Sequence, residues 1–230
     1  KDLLNAMADD RKSMDRHERR LACRDGTEIW THFHAVLLRT EDGEPAYCIV
    51  QIADITDMKT SQQRMERMAF YDTLTDLANR RLFYDRLAHA ISHCQRSGHL
   101  AALMYLDLDQ FKRVNDTLGH ETGDLLLQEV AARLKQCVRA EDTVGRPGGD
   151  EFTVLLYEIT TPGDAGAVAD NILALLRKPI SVAGHQLVVT PSIGITIIPE
   201  DGVDPNVIMK NADLAMYRAK ENGRNTYQFF

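Results

Sequence analysis

Leu100 to Leu106 is the longest apolar run in the chain, and it leads directly into Asp107 and Asp109. A membrane helix needs ~20 apolar residues, so this run is strand-sized. An uninterrupted apolar strand must be buried on both faces, and only layers packed above and below it can do that. Leu100 to Leu108 is therefore expected to be a central strand, and the chain from Phe70 onward supplies the layers. Asn79 is placed to cap a helix whose Leu82, Phe83, Leu87, Ala90 and Ile91 share one face. Gly123 to Arg139 repeats the helical period with Leu126, Val130, Leu134 and Cys137 inward, and Ala165 to Leu176 gives another helix. Val207 to Asn222 is the last, with Gly223 as its C-terminal cap. Asp142 to Arg146 and Phe152 to Tyr157 read as strands around a Gly148-Gly149 turn, and His185 to Ile198 as a strand preceded by an Ala-Gly turn. The predicted class is α+β, an α/β sandwich with a central sheet flanked by helices.

Residues 1 to about 57 differ in pattern. A polar, charge-dense, helix-like stretch comes first, then a turn at Arg24-Asp25-Gly26-Thr27. Glu28 to Arg39 and Ala46 to Ile52 read as two antiparallel strands joined through Asp42-Gly43. Two strands and a helix close no core alone, so this region is expected to be the end of a larger domain. Residues 58–69 are good helix formers, with Met58, Ser61, Met65 and Met68 at heptad spacing, and predict a connector helix. Its apolar stripe suits either a short coiled coil or packing on a neighbouring domain.

The 230 residues carry 27 Lys and Arg against 34 Asp and Glu, a net charge of −7, which lacks the positive field of a sequence-independent DNA or RNA binder. Neither a secretory leader nor a membrane span is visible, and the chain opens at Lys1, which reads as a fragment of something longer. Membrane contact is then expected only through other parts of the parent. Cys23, Cys48, Cys94 and Cys137 are scattered without metal or disulfide spacing, which favours reduced thiols and a cytoplasmic location.

Asp107 and Asp109 end one strand, and Asp150 and Glu151 follow the glycine pair of a hairpin. Carboxylates on adjacent strand ends can converge. Hard oxygen ligands of this kind suit Mg²⁺, which binds through one or two carboxylates plus substrate phosphates. Gly148 and Gly149 let a substrate approach the backbone closely. His89/His93 and His32/His34 have metal-compatible spacing but no evident third ligand, and read as locally packed or solvated.

Gly148-Gly149-Asp150-Glu151-Phe152 resembles the GGDEF motif of diguanylate cyclases. Asp72-Thr73-Leu74-Thr75, Asn79-Arg80-Arg81, Leu106-Asp107-Leu108-Asp109, Phe111-Lys112, Asn115-Asp116, Gly119-His120, Gly123-Asp124 and Gly223-Arg224-Asn225 extend the resemblance from about Phe70 to Phe230. It implies a palm-like sheet flanked by helices, and condensation of two GTP molecules to cyclic di-GMP with release of two pyrophosphates. In that reading Asp107 through its carboxylate and Leu108 through its carbonyl would hold Mg²⁺, or Mn²⁺, with Asp150 and Glu151. Asp150 or Glu151 would take the proton of the 3′-hydroxyl, and the residues do not choose between them. Asn115 and Asp124 would read the guanine edge, with Phe111, Lys112 and His120 lining the pocket and Gly148 and Gly149 under the nucleotide. Lys220 and Arg224, four apart and so on one helical face, would neutralise the triphosphate. Asp109 reads as structural.

Arg139-Ala140-Glu141-Asp142, five residues before the glycine pair, resembles the family's RxxD inhibitory site for its own product, with Arg139 on phosphate and guanine and Asp142 on the guanine edge. Each domain would hold one GTP, which implies a homodimer. Three residues depart from the family pattern: Pro147 stands where a bulky residue is usual, and Asp76 and Ala78 where Gly and Pro are. Asp25-Gly26, Trp30, Asp42-Gly43 and Asp54-Ile55-Thr56-Asp57 resemble the C-terminal half of a PAS sensor domain. The organisation expected is thus a partial PAS domain over 1–57, a signalling helix over 58–69 and a cyclase domain over 70–230. Alternatives are a GTP-binding regulatory module of a larger PAS-GGDEF-EAL protein, and a cyclic di-GMP receptor.

Overall fold

The computed structural model describes residues 14–230. The chain divides into two compact units, the first ending at Arg67 and the second Met68–Phe230.

The first unit is an antiparallel sheet in the order β1 (Met14–Ala22), β2 (Glu28–Arg39) and β3 (Pro45–Asp54), and it leads into α1 (Thr56–Phe70). The charged opening segment was expected to be helix-like; from Met14 it is a strand, paired with β2 from Met14↔Val36 to Ala22↔Glu28, and its earlier part lies outside the described residues. The sheet thus has three strands rather than two. Its charges follow a period of two: Arg16, Glu18 and Arg20 are exposed, while His17 and Arg19 lie against Phe33. A long basic stem covering an aromatic ring overrides helix propensity here. Ala35 and Leu37 form a small core with Phe33 and Cys48, and β3 leaves Tyr47, Ile49, Val50 and Ile52 exposed. The chain turns into α1 through Asp54, whose carboxylate accepts from Thr56 N at 2.9 Å, and Thr56 Oγ1, which accepts from Trp30 N at 2.9 Å. Lys59 pairs with Glu18 at 2.6 Å. Met58, Met65 and Met68 are all exposed along α1.

In the second unit α2 (Arg80–Ser97) precedes the central strand β4 (Leu100–Leu108). Two helices follow, α3 (Phe111–Leu118) and α4 (His120–Gln136), then the hairpin β5 (Thr143–Gly148) and β6 (Glu151–Ile159). The chain continues through α5 (Pro162–Leu176), β7 (Ile180–Val182), β8 (His185–Leu187), β9 (Pro191–Ile198), α6 (Pro205–Glu221) and β10 (Tyr227–Phe229). The five-stranded sheet has the order β10-β9-β4-β6-β5, antiparallel except for the β10/β9 pair. β4 is buried on both faces, as its unbroken apolar run requires. Ala102, Met104, Leu106 and Leu108 meet α4 and α5, and Ala101 and Leu103 meet Phe83, Leu87 and Ile91 of α2 and Ile208, Met209 and Ala212 of α6. This is the α+β sandwich with a central sheet flanked by helices.

Asn79 caps α2 by accepting from Leu82 N. Two elements depart from the sequence reading. The helix expected from Gly123 runs instead from His120 to Gln136, and α3 stands before it as a separate helix joined at Gly119, whose φ is +86°. His185 to Ile198 is not one strand: β8 pairs with β7 in a small hairpin, and Thr190 interrupts the chain by meeting Asp109 before β9 begins. Gly194 sits where α6 crosses β9, and a Cβ there would overlap the Ala212 carbonyl and the Met216 nitrogen. Gly194→Ala is expected to cost about 3 kcal/mol of stability in urea unfolding; a wild-type midpoint would contradict this packing.

Candidate active site

The β5–β6 hairpin is held at its turn by one buried guanidinium. Arg146 Nε and Nη2 donate to the Gly149 carbonyl at 3.0 and 2.6 Å, and Nη1 donates to Asp72 Oδ1 at 2.9 Å. Asp72 also accepts from Thr75 N at 2.9 Å. Burial works to raise the Asp72 pKa, but hydrogen bonds from Thr75 and Arg146 outweigh it and hold the carboxyl below its ordinary value. Gly149 has φ +57°, a left-handed conformation that glycine adopts without strain. Pro147 falls where the β5–β6 register shifts, between Gly145 and Gly148, so its missing N–H interrupts no regular pairing. The other departures are also accommodated: Asp76 takes φ +55°, and Ala78 N donates to the Val144 carbonyl at 3.3 Å, a bond proline could not make.

The pairing of β4 with β6 sets Asp107 opposite Glu151. Leu108 N donates to the Asp150 carbonyl at 3.3 Å, which brings the turn against the end of β4. Asp107, Leu108, Asp150 and Glu151 are therefore assembled at one end of the sheet. Lys220 of α6 pairs with Asp107 Oδ1 at 2.8 Å, and Tyr105 donates its hydroxyl to Glu151 Oε2 at 2.9 Å. Asp107 has a raised pKa: burial is the largest cause, Lys220 opposes it, and the charges of Asp150 and Glu151 add to it. Among the described residues no three His, Cys, Asp or Glu side chains form a ready metal cage. The donor set fits Mg²⁺, which takes one or two carboxylates and completes its shell with phosphate and water.

Phe111, Lys112 and Asn115 stand on α3, and His120 and Asp124 on α4. A Cβ on Gly123 would overlap Asn115 Oδ1 and lie 3.2 Å from Phe111 Cζ, so the glycine is what lets these side chains meet α4. Asn115 Oδ1 is buried without a hydrogen-bond partner, an acceptor whose burial is uncompensated within the protein. Lys112, His120 and Asp124 are exposed beside it in the fold.

Lys220 and Arg224 do not share a helical face. α6 ends at Glu221, and Arg224 lies beyond it at φ +63°, past the turn made by Gly223. Arg224 instead lines a cavity of about 590 Å³ with Arg113, Val114 and Val189. Asp109 is the structural latch of that region, accepting from Thr190 Oγ1 and Ser192 Oγ at 2.7 Å each and from Asn225 N at 3.1 Å. Arg139 and Asp142 line two further cavities, of about 340 and 330 Å³. Asp142 accepts from Arg139 N at 2.9 Å and from Tyr157 N at 3.1 Å, which fixes its carboxylate between them. The histidines pack locally: His93 meets Glu158 at 3.0 Å and His32 accepts from Arg16 at 2.9 Å.

Sequence reasoning missed Tyr105, Arg146 and the role of Gly123. Tyr105 was detectable, since it precedes Asp107 by two on a strand and so shares its face. Arg146 carried no such signal, because its partner Asp72 is 74 residues away.

A family profile described as "Diguanylate cyclase, GGDEF domain" matches residues 69–226. The bifunctional diguanylate cyclase/cyclic di-GMP phosphodiesterase MucR of Pseudomonas aeruginosa is 45% identical over 175 residues, covering 76% of this chain and 25% of that protein. The chain spans about a quarter of the length of the first curated relatives it matches. The isolated GGDEF domain of TpbB from Pseudomonas aeruginosa superposes with a TM-score of 0.68 at 38% identity, covering 69% of this chain and 93% of that one. The coiled coil and GGDEF domain of DgcB from Caulobacter crescentus, in complex with c-di-GMP, gives 0.69 at 26% identity, covering 76% and 93%.

Arg146→Lys keeps the charge but loses the fork, and is expected to lower the unfolding free energy by about 2 kcal/mol at neutral pH in urea titrations. Because the folded-state pKa of Asp72 is depressed, its contribution is complete above the unfolded value of about 4 and is lost as pH falls through the lower folded value. In Asp72→Asn the acid-side decline in stability should be shallower than in the wild type, and an unchanged acid limb would contradict the clamp.

Proposed function

The chain belongs to the GGDEF diguanylate cyclase family, and from that membership we propose that it condenses two GTP molecules to cyclic di-GMP with release of two pyrophosphates. The observation that carries this reading is the register that sets Asp107 opposite Glu151, with Asp150 at the adjoining turn. Asp107, the Leu108 carbonyl, Asp150 and Glu151 would hold Mg²⁺ or Mn²⁺. Bound with the triphosphate, the metal would activate the attacking 3′-hydroxyl and steady the leaving pyrophosphate. Asp150 or Glu151 accepts the hydroxyl proton. Asn115 and Asp124 read the guanine, and the orphaned Asn115 Oδ1 supports that role because a base donor would satisfy it. Phe111 and His120 flank the base, and Gly148 and Gly149 admit the nucleotide to the hairpin backbone. Lys112 and Lys220 supply positive charge to the triphosphate, and Arg224 is the third cation assigned to it.

The enzyme acts as a homodimer, since each domain presents one set of these groups and the product is built from two nucleotides. Arg139 and Asp142 form the product-inhibition site, supported by the cavities on which both border. Residues 1–57 are the C-terminal part of a PAS domain and 58–69, within α1, the signalling helix; the small core and exposed β3 support an incomplete domain. No described helix is long and apolar enough to cross a membrane, and a cytoplasmic site of action follows from the nucleotide substrate. A second reading, a GTP-binding regulatory module of a larger protein, is favoured by one observation: the bifunctional relative is about four times as long as the stretch it shares with this chain.

Incubated with GTP and Mg²⁺, the chain is expected to form cyclic di-GMP at a specific rate that rises with protein concentration. Asp150→Ala should lose about a hundredfold or more of that rate while melting as the wild type does, since the residue lies in a turn. GTP binding without product would favour the regulatory reading. In calorimetry, Arg139→Ala is expected to weaken cyclic di-GMP binding about tenfold or more, the scale of one lost charged hydrogen bond; unchanged affinity would remove the inhibitory site.

A further inference from the structure

Tyr105 and Asp107 point to the same face of β4, because successive side chains on a strand alternate. On that face Tyr105 is packed against the cluster formed by Phe83, Leu87 and Met209. Its ring walls a cleft of about 370 Å³ between α2 and α6, with Arg80, Lys210 and Asp213 around it and Glu151 at its border. The hydroxyl meets Glu151 Oε2 at 2.9 Å, and Glu151 Oε1 has no protein hydrogen-bond partner among the described residues.

Glu151 stands directly opposite Asp107 on neighbouring antiparallel strands. Like charges in that relation repel. Each carboxylate is held by its own partner, Asp107 by Lys220 at 2.8 Å and Glu151 by Tyr105 at 2.9 Å. The two partners differ in kind. Lys220 is a mobile cation on a long stem, and the triphosphate competes for it; Tyr105 is a neutral donor on a packed ring that no substrate phosphate attracts. The phenol is a neutral group, and facing a carboxylate oxygen it is the donor of the pair.

We propose that Tyr105 is a positioning residue for the cyclase reaction: by holding Glu151 through Oε2 it stops the longer carboxylate from being driven away from Asp107 and keeps Oε1 free for the metal-bound substrate. The tyrosine's hydrogen bond persists when Lys220 leaves Asp107 for the triphosphate. This rests on the cyclase reading of the same site. It separates the acidic groups by role, with Glu151 tethered to the scaffold and Asp150 carried on the turn.

The test compares the wild type, Tyr105→Phe, Glu151→Gln and the double variant of the whole chain. Tyr105→Phe is expected to lower kcat about tenfold, the scale of a hydrogen bond to a charged group, with KM for GTP within about twofold. Mn²⁺ binding in the presence of a non-hydrolysable GTP analogue, followed by the free-ion electron paramagnetic resonance signal, should weaken by about threefold or more in Tyr105→Phe and by less than about twofold when Glu151→Gln is already present. Equal losses in both backgrounds, or a Tyr105→Phe variant with wild-type kcat and Mn²⁺ affinity, would overturn the proposal while leaving the cyclase reading intact. A wild-type chain that neither forms product nor takes up Mn²⁺ would sink that reading and this proposal with it.

Discussion

The pairing of β4 with β6 is the constraint on which the site depends. β4 is buried on both faces, so its register against β6 and β9 is set by which apolar residues meet which helices. A slip of one residue would exchange Met104 and Leu106 with Leu103 and Tyr105, and would also turn Asp107 into the opposite layer. Packing that stabilises the fold thereby fixes the separation of Asp107 and Glu151. The hairpin adds the third acid, and Arg146 holds its turn by gripping the Gly149 carbonyl while anchored to Asp72. The strap around Asp72 is therefore part of the site, although it carries none of the proposed chemistry.

Much of this was legible in the residues. The apolar run announced a central strand, Asn79 marked the start of α2, and the glycine pair marked the hairpin, because each is a local signal with a local physical cause. What could not be read was non-local or carried by atypical residues. β1 is built from Arg, His and Glu, whose stems cover Phe33 across the sheet, a pairing that no periodicity within the segment displays. The break between β8 and β9 is made by Asp109 capturing Thr190 and Ser192 from more than eighty residues away. The four-residue spacing reads Arg224 as a helical neighbour of Lys220, although Gly223 itself reads as the cap that ends the helix, and the structure sides with the cap.

The same contrast separates the parts of the candidate site. Acids on strand ends were visible as a class, and the structure adds the groups that hold them: Lys220 on Asp107 and Tyr105 on Glu151. A net charge of −7 is compatible with a polyanionic substrate because the cations are local. Lys220 pairs with Asp107, and Lys112 lies exposed on the helix that carries Asn115.

The central claim is that this arrangement joins two nucleotides. The most direct measurement is the stoichiometry of a single reaction of the chain with GTP and Mg²⁺, in which pyrophosphate and cyclic di-GMP are quantified together. The account predicts two pyrophosphates for each cyclic di-GMP and no other nucleotide product. Pyrophosphate or GDP released without the cyclic dinucleotide, or GTP recovered intact from a folded chain that binds it, would contradict it.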